Sequence, residues 1–131
     1  MYLIEISPNA ALVQGRLIRL ANEPKLATND NVALNNDSTG LIIKRPGVYK
    51  VKLLLTVISG DNGIGAALRA NGNELTTTEA TFEDGEMGEL VIDYPVNVLH
   101  DDDGEHQALI QFYATFDATL LGGHVMIERV I

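Results

Sequence analysis

One stretch of the sequence concentrates side chains that could bind a cation, namely LHDDDGEHQ at residues 99–107. In a β-hairpin centred on this acidic turn, the two flanking histidines would be near-opposite neighbours, close enough to hold a metal ion together with an aspartate. The candidate ligands are His100, Asp101, Asp103 and His106. A calcium loop of the EF-hand type needs alternate ligands, whereas contiguous aspartates in extended backbone point alternately up and down. We therefore interpret the stretch as a solvated hairpin tip, with a calcium ion shared between subunits as the alternative.

Further acidic and polar residues cluster in two other predicted turns. They are Asp61 and Asn62 in one turn, and Glu83, Asp84 and Glu86 in the other. A glycosidase needs two carboxyl groups roughly 5 to 10 Å apart across a cleft, and carboxylates on hairpin tips do not form one. These residues are predicted to be solvated turns, or the rim of a binding surface.

The sequence offers no recognisable catalytic nucleophile. None of the serines, at 7, 38 and 59, lies in a G-x-S-x-G elbow, and no phosphate-binding glycine pattern is present. Cysteine is absent, which excludes a thiol nucleophile and a disulfide framework, and leaves only histidine and carboxylate ligands for zinc. We predict that the protein is not an enzyme and has no cofactor.

Charge excludes two classes of partner. The net charge is −9, from 18 acidic and 9 basic residues, and no basic stripe is present to neutralise phosphates. Nucleic acids and anionic membranes are therefore poor partners. No apolar run reaches the roughly 20 residues of a membrane-spanning helix, and the N-terminal residues lack a signal-peptide pattern. If Met1 is the native start, we expect a protein made in a cytoplasm.

Hydrophobic periodicity predicts an all-β protein. Apolar residues alternate or occur in short blocks, and turn residues recur about every ten positions, as in sandwiches and barrels. The strongest strand is VYKVKLLLTVI at 48–58, where Tyr49 and Val51 share one face and Lys50 and Lys52 the other. The 131 residues are predicted to form one domain, a two-sheet antiparallel sandwich of eight to ten strands.

The remaining predicted elements follow the same pattern. The segment 74–82 is β-prone but polar, which favours an edge strand, and 22–31 is predicted to be a polar loop. Pro95 cannot donate to a ladder and indicates a bulge or an unpaired position. The other predicted strands are 2–6, 12–20, 32–34, 41–44, 64–72, 89–99, 107–116 and 119–131.

Three passages together resemble the globular heads of complement-type and tumour necrosis factor-like proteins. They are STGLIIKRPGVYKVKLLLTV at 38–57, IGAALRANGNEL at 64–75 and LLGGHVMIERV at 120–130. The similarity is greatest to the bacterial and phage branch, which caps exosporium proteins and virion fibres or decorations. The resemblance implies a ten-stranded jelly roll that forms a tight homotrimer around a threefold axis.

The resemblance also implies a trimer interface near the start of the final strand. The candidate interface residues are Tyr49, Val51, Tyr113, His124 and Met126. Three axial His124 imidazoles would make assembly sensitive to pH near 6.5, where histidine ordinarily titrates. The alternative is that His124 and Tyr113 face solvent or the core. Leu54 and Ile58 share a face with Lys50 and Lys52, so more apolar surface is present than one core requires.

The expected function is a non-enzymatic homotrimeric structural module of a phage virion, either a capsid decoration or a fibre. The lack of a collagen-like stalk and of a secretion signal favours a virion protein assembled in a host cytoplasm, with 1–15 as the segment that attaches to another virion protein or lies at an edge. The alternative is a carbohydrate- or receptor-binding adhesin head on a bacterial or spore surface. Its rim would be formed by the loops 59–63, 83–88 and 100–106. Aromatic residues amount to only 5% with no tryptophan, which argues against sugar stacking.

Overall fold

A computed structural model of the chain describes residues 1–6, 11–28, 31–60, 62–99 and 108–131. Within these ranges there are eleven strands and no helix, so no described segment could cross a membrane as a helix. The strands are β1 Tyr2–Ile6, β2 Ala11–Leu12, β3 Leu20–Ala27, β4 Val32–Leu34, β5 Gly40–Ile43, β6 Gly47–Ser59, β7 Gly63–Ala70, β8 Asn73–Thr81, β9 Met87–Val98, β10 Ala108–Ala114 and β11 Ala118–Arg129.

Two antiparallel sheets form a sandwich. The six-stranded sheet has the order β3-β1-β11-β6-β9, with β2 pairing with β11 off this path, and the five-stranded sheet has the order β4-β5-β10-β7-β8. The predicted all-β, two-sheet jelly-roll class is confirmed, with eleven strands in the described residues rather than ten.

The core lies between the sheets and follows the period-two pattern of the strands. In β6, Tyr49, Val51, Leu53, Leu55 and Val57 are at most 1% exposed, and each is followed by a residue that faces outward. They join one cluster with the inward side chains of the other strands. The predicted alternation of two faces along this strand is therefore confirmed, and the face that carries Tyr49 and Val51 is the core face.

Two predictions near the N-terminus are wrong. The segment 12–20 is not one strand, because β2 ends at Leu12 and Gly15 makes a turn with φ 82° before β3 begins at Leu20. The segment 22–31 is not a loop, because its first six residues belong to β3, which pairs with β1. The residues of β3 after Ala21 are exposed, so hydrophobic patterning gives no sign of this strand.

The sheet edges carry residues that oppose further pairing. The polar β8 is an edge strand, as predicted, and Pro95 lies in β9, which is an edge strand of the other sheet. Pro24 lies in β3, at the opposite edge of the same sheet. Proline cannot donate a ladder hydrogen bond, so both edges of the six-stranded sheet are protected against addition of another strand.

The glycine and tyrosine of the RPGVY passage have structural roles. Gly47 has φ 150°, and a Cβ there would lie 2.7 Å from Arg129 Nε and 2.8 Å from the Ile131 carbonyl oxygen. The Tyr49 hydroxyl donates a hydrogen bond of 2.8 Å to the Arg45 carbonyl. This passage thus closes the turn before β6 against the end of β11.

Replacing Tyr49 with phenylalanine should lower the free energy of unfolding by about 1 kcal/mol, because the Arg45 carbonyl loses its donor while the ring stays buried. Urea denaturation should show a lower midpoint at an unchanged m-value. Tyr94→Phe is the control, since the Tyr94 hydroxyl has no hydrogen bond to any described residue. Equal losses in the two variants would contradict this role for Tyr49.

Candidate self-association face and loop rim

The outer side of the six-stranded sheet carries half-buried and exposed apolar side chains in cross-strand register. One row runs Glu5, His124, Leu54, Val91 across β1, β11, β6 and β9. The next row runs Leu3, Met126, Lys52, Asp93. We call the side chains of these two rows, together with the outward residues Lys50, Thr56, Ile58, Met87, Glu89 and Glu128, the outer face.

Apolar residues occupy much of the outer face. Leu54, Ile58 and Met126 are half-buried, Val91 is 44% exposed and Met87 is 63% exposed. A solvated antiparallel sheet normally alternates apolar residues inward with polar residues outward. The outer face departs from this rule, as expected of a surface that contacts another molecule.

Charged residues border the apolar part. Lys50, Lys52, Met126 and Glu128 line a shallow groove, and the Lys50 ammonium lies 3.8 Å from the Asp93 carboxylate. This ion pair is half exposed and contributes little to stability.

At the other side of the face, Glu5 and Lys25 form an ion pair. The Lys25 Nζ donates a hydrogen bond of 2.8 Å to Glu5 Oε1. That bond, and then the Lys25 charge, lower the pKa of Glu5, with a smaller lowering contribution from His124. The same bond and charge raise the pKa of Lys25. Glu5, the cross-strand neighbour of His124, therefore already has Lys25 as a counter-ion.

Adjacent glycines of β11 have opposite environments. A Cβ at Gly123 would lie 2.7 Å from Leu55 Cδ2 and 2.8 Å from the Leu54 carbonyl oxygen, whereas none of the described atoms lies within 4 Å of one at Gly122. Gly123 thus permits close contact with β6 on the core side. Gly122 leaves an open spot on the outer face beside its partner Thr56.

Two of the five predicted interface residues lie on the outer face, namely His124 and Met126. Tyr49 and Val51 do not, because they point from β6 into the core and are at most 1% exposed. Strand alternation places the even-numbered residues of β6 outward. The β6 residues with apolar side chains on the outer face are therefore Leu54 and Ile58, not Tyr49 and Val51. The sequence signal for them is the apolar character of the face that carries Lys50 and Lys52.

Tyr113 lies on the opposite side of the sandwich. It faces outward from β10 in the five-stranded sheet, where the Arg69 guanidinium carbon is 4.2 Å from its ring centroid. Its hydroxyl donates a hydrogen bond to the Glu74 carboxylate, which lowers the pKa of Glu74 and raises that of Tyr113. Tyr113 and His124 therefore cannot share one flat interface within a sheet.

The loops at one end of the sandwich bring four predicted rim residues together. The Asn62 amide donates to Asp84 Oδ1 at 2.7 Å, and the Phe82 amide donates to the Asn62 carbonyl. Glu83 and Glu86 belong to the same turn, in which the Glu86 amide donates to the Glu83 carbonyl. Asp61 lies outside the described residues. The two loops thus form one exposed acidic tip.

The strands that flank the third predicted rim loop, 100–106, do not lead into it from the end of the sandwich that carries the acidic tip. These strands meet the sheets at Val98, paired with Gly47, and at Ala108, paired with Ile43. Met87, next to the acidic tip, begins β9, and the 12 residues of that strand extend over roughly 35–40 Å. A single rim built from all three loops is therefore not supported by the strand order.

The predicted metal ligands His100, Asp101, Asp103 and His106 all lie outside the described residues. Within the parts of the chain that are described, no three histidine or carboxylate side chains are grouped as metal ligands would be.

The fold matches solved structures at low sequence identity. The globular domain of zebrafish complement 1qA protein superposes with a TM-score of 0.74 at 10% identity, covering 99% of this chain and 96% of that one. The Eiger TNF from S. frugiperda gives 0.74 at 8% identity, covering 99% and 93%. Murine APRIL at pH 5.0 gives 0.68 at 12% identity, covering 95% and 97%.

The sequence matches no family model and no curated protein. The structural likeness extends over nearly the whole length of each protein, and it includes both kinds of head, complement-type and tumour necrosis factor-type, that the sequence passages resemble. The chain therefore has the fold of the complement and tumour necrosis factor type of globular head.

Proposed function

We propose that the protein is a non-enzymatic self-assembling module that forms a homotrimer through the outer face of its six-stranded sheet. The observation that carries this proposal is the group of half-buried and exposed apolar side chains at Leu54, Val91 and Met126, in two neighbouring rows of a sheet that is already buried on its other side. A second buried face on one sheet is what association of subunits requires.

The outer face has the mixed composition of a specific interface. Lys50, Lys52, Asp93 and Glu128 lie on one side of the apolar residues Leu54 and Val91, and Thr56 and Glu89 separate this pair from Ile58 and Met87. The protected edge strands argue for association face to face rather than by strand addition. The trimer is the closed assembly that the resemblance implies.

The biological setting we propose is a phage virion, as a capsid decoration or fibre domain assembled in a host cytoplasm. The resemblance of the passage at 64–75 to members of the bacterial and phage branch supports this setting. The net charge of −9 keeps such a module soluble before it docks on another virion protein. Co-purification with particles from infected cells tests this setting, and its absence from purified particles would contradict it.

An interior position for β1 limits how the module could be attached. Tyr2, Ile4 and Ile6 are at most 4% exposed, and β1 pairs with both β3 and β11. Residues 2–6 therefore belong to the sheet, and an attachment role for the segment 1–15 would fall on residues beyond this strand.

Burial of the outer face can be tested with thiol chemistry, because the sequence contains no cysteine. Thr56→Cys places a thiol on the outer face, and Thr77→Cys places a matched thiol on the exposed side of β8. As protein concentration rises, modification of the thiol at 56 should slow at least tenfold, and that at 77 should stay constant. Equal rates at all concentrations would show that the outer face stays exposed.

The second candidate is an adhesin head whose binding rim is the acidic tip. The hydrogen bonds that join the loops at Asn62 and Asp84 favour it, because they hold exposed polar groups in one geometry. A glycan array probed with calcium-loaded and chelated protein discriminates the two candidates, since the structural module should bind no glycan in either form.

A further inference from the structure

His124 lies on the outer face, at the border of its apolar part. Its cross-strand neighbours are Leu54 on β6 and Glu5 on β1, and Met126 follows on the same side of its own strand. The imidazole is already half-buried in the single subunit. Any association that covers this row must therefore take the imidazole out of water.

The charged groups around His124 offer it no free counter-ion. On β1, Glu5 faces His124, but its carboxylate accepts the hydrogen bond from Lys25 of β3 at 2.8 Å. On β6, the diagonal neighbours are Thr56 and Lys52, and Lys52 adds a further positive charge.

More distant carboxylates do not change this balance. Glu128 lies two positions beyond Met126 on β11 and faces Lys50 across the strands. On β9, which is two strands from His124, Asp93 lies 3.8 Å from Lys50 and Glu89 pairs with Thr56. A protonated imidazole would thus have Glu5 as its one adjacent counter-charge, and that carboxylate is already shared with Lys25.

We propose that His124 makes self-association through the outer face acid-sensitive, with the neutral imidazole buried in the trimer and protonation driving dissociation. This inference rests on the proposed function. Burying a cation whose adjacent carboxylate is already paired with another cation costs more than burying a neutral hydrogen-bonding group, so the trimer accepts only the neutral form. Dissociation then takes up three protons per trimer.

The expected size follows from proton linkage. Histidine ordinarily titrates near pH 6.5, so between pH 7.5 and pH 5.5 three such groups lower the trimer association constant by about a thousandfold. Because the trimer association constant has units of inverse concentration squared, the midpoint concentration for assembly should rise by the square root of this factor, about 30-fold. Glu5 stays ionised in this range because Lys25 lowers its pKa, so it does not contribute to the shift.

Sedimentation velocity over a dilution series at pH 7.5 and pH 5.5, at matched ionic strength, tests the inference. Wild type should show the 30-fold shift, and His124→Gln should reduce it below about threefold. A double variant, His100→Gln with His106→Gln, should keep the full shift, because it removes the other two histidines and leaves His124. Circular dichroism at both pH values checks that the subunits stay folded.

The outcomes separate this inference from the proposed function. A trimer with the same midpoint at both pH values, or a shift that persists in His124→Gln, overturns the acid-sensitive role of His124 and leaves the trimer intact. A chain that is monomeric at both pH values overturns the trimer, and the inference with it.

Discussion

Replacing Leu54 with aspartate should convert the trimer into folded monomers at concentrations where wild type is fully assembled. We expect the midpoint concentration for assembly to rise at least a hundredfold. Burying three carboxylates in an apolar interface costs several kcal/mol for each ion, while in the free subunit the same side chain remains partly solvated. Light scattering coupled to size exclusion measures the change.

Leu54 is the sharpest position for this test because of its neighbours. It lies between His124 on β11 and Val91 on β9, so its side chain is in the interior of the row that crosses the sheet and not at its end. Its side chain points away from the core, so the substitution leaves the packing between the two sheets intact.

The matched control is Ile42→Asp. Ile42 is also a half-buried aliphatic residue that faces outward, but it lies on β5 in the five-stranded sheet. We expect this variant to assemble as wild type does. If Leu54→Asp also assembled normally, or if both substitutions dissociated the trimer equally, the outer face of the six-stranded sheet would not be the interface.

Replacing Leu53 with alanine should cost the subunit itself about 2–5 kcal/mol, although this residue is the immediate neighbour of Leu54. Leu53 is fully buried, and its partners are Val125 on β11 and Ile92 on β9, both of which are core residues. Truncation removes apolar contacts and leaves a cavity that the two central strands of the sheet cannot close. Chemical denaturation measures the loss.

The control for Leu53→Ala is Leu54→Ala, which differs by one position and by the side of the sheet. The loss in Leu53→Ala should be the same at every protein concentration, because it resides within one subunit. The loss in Leu54→Ala should shrink on dilution below the assembly midpoint, because it resides between subunits. If the two variants showed the same concentration dependence, the division of β6 into a core side and an association side would be wrong.

The strands that are readable from sequence are those with one buried face. In β6, a buried residue alternates with an outward one from Val48 to Ser59, and β1 and β10 show the same period. The Asn71-Gly72 turn is equally readable, since both residues have positive φ as a tight hairpin turn requires. Local pattern and structure agree at these elements because burial itself produces the pattern.

The strand β3 was not predictable for the opposite reason. Its residues from Asn22 to Ala27 are exposed, and it exists because β1 needs a partner for its backbone groups. The partner strand β1 lies earlier in the chain, so the sequence of β3 itself carries no period-two pattern of apolar residues that would reveal the pairing. Pro24 argues further against a strand when it is read locally.

The outer face was only partly predictable from the sequence. Alternation separates the two faces of a strand, but it does not say which sheet a strand joins. Tyr113 and His124 therefore looked equivalent in sequence, although β10 and β11 lie in different sheets. Tyr49 and Val51 are core residues, whereas the apolar residues Leu54 and Ile58 on the opposite side of β6 lie on the outer face.

The molar mass in solution at micromolar concentration tests the central claim most directly. Sedimentation equilibrium at pH 7.5 should give three times the 14.2 kDa mass of the chain, and dilution should produce a trimer–monomer transition without a stable dimer. A mass of 14.2 kDa across the micromolar range would contradict the trimer and, with it, the role assigned to the outer face.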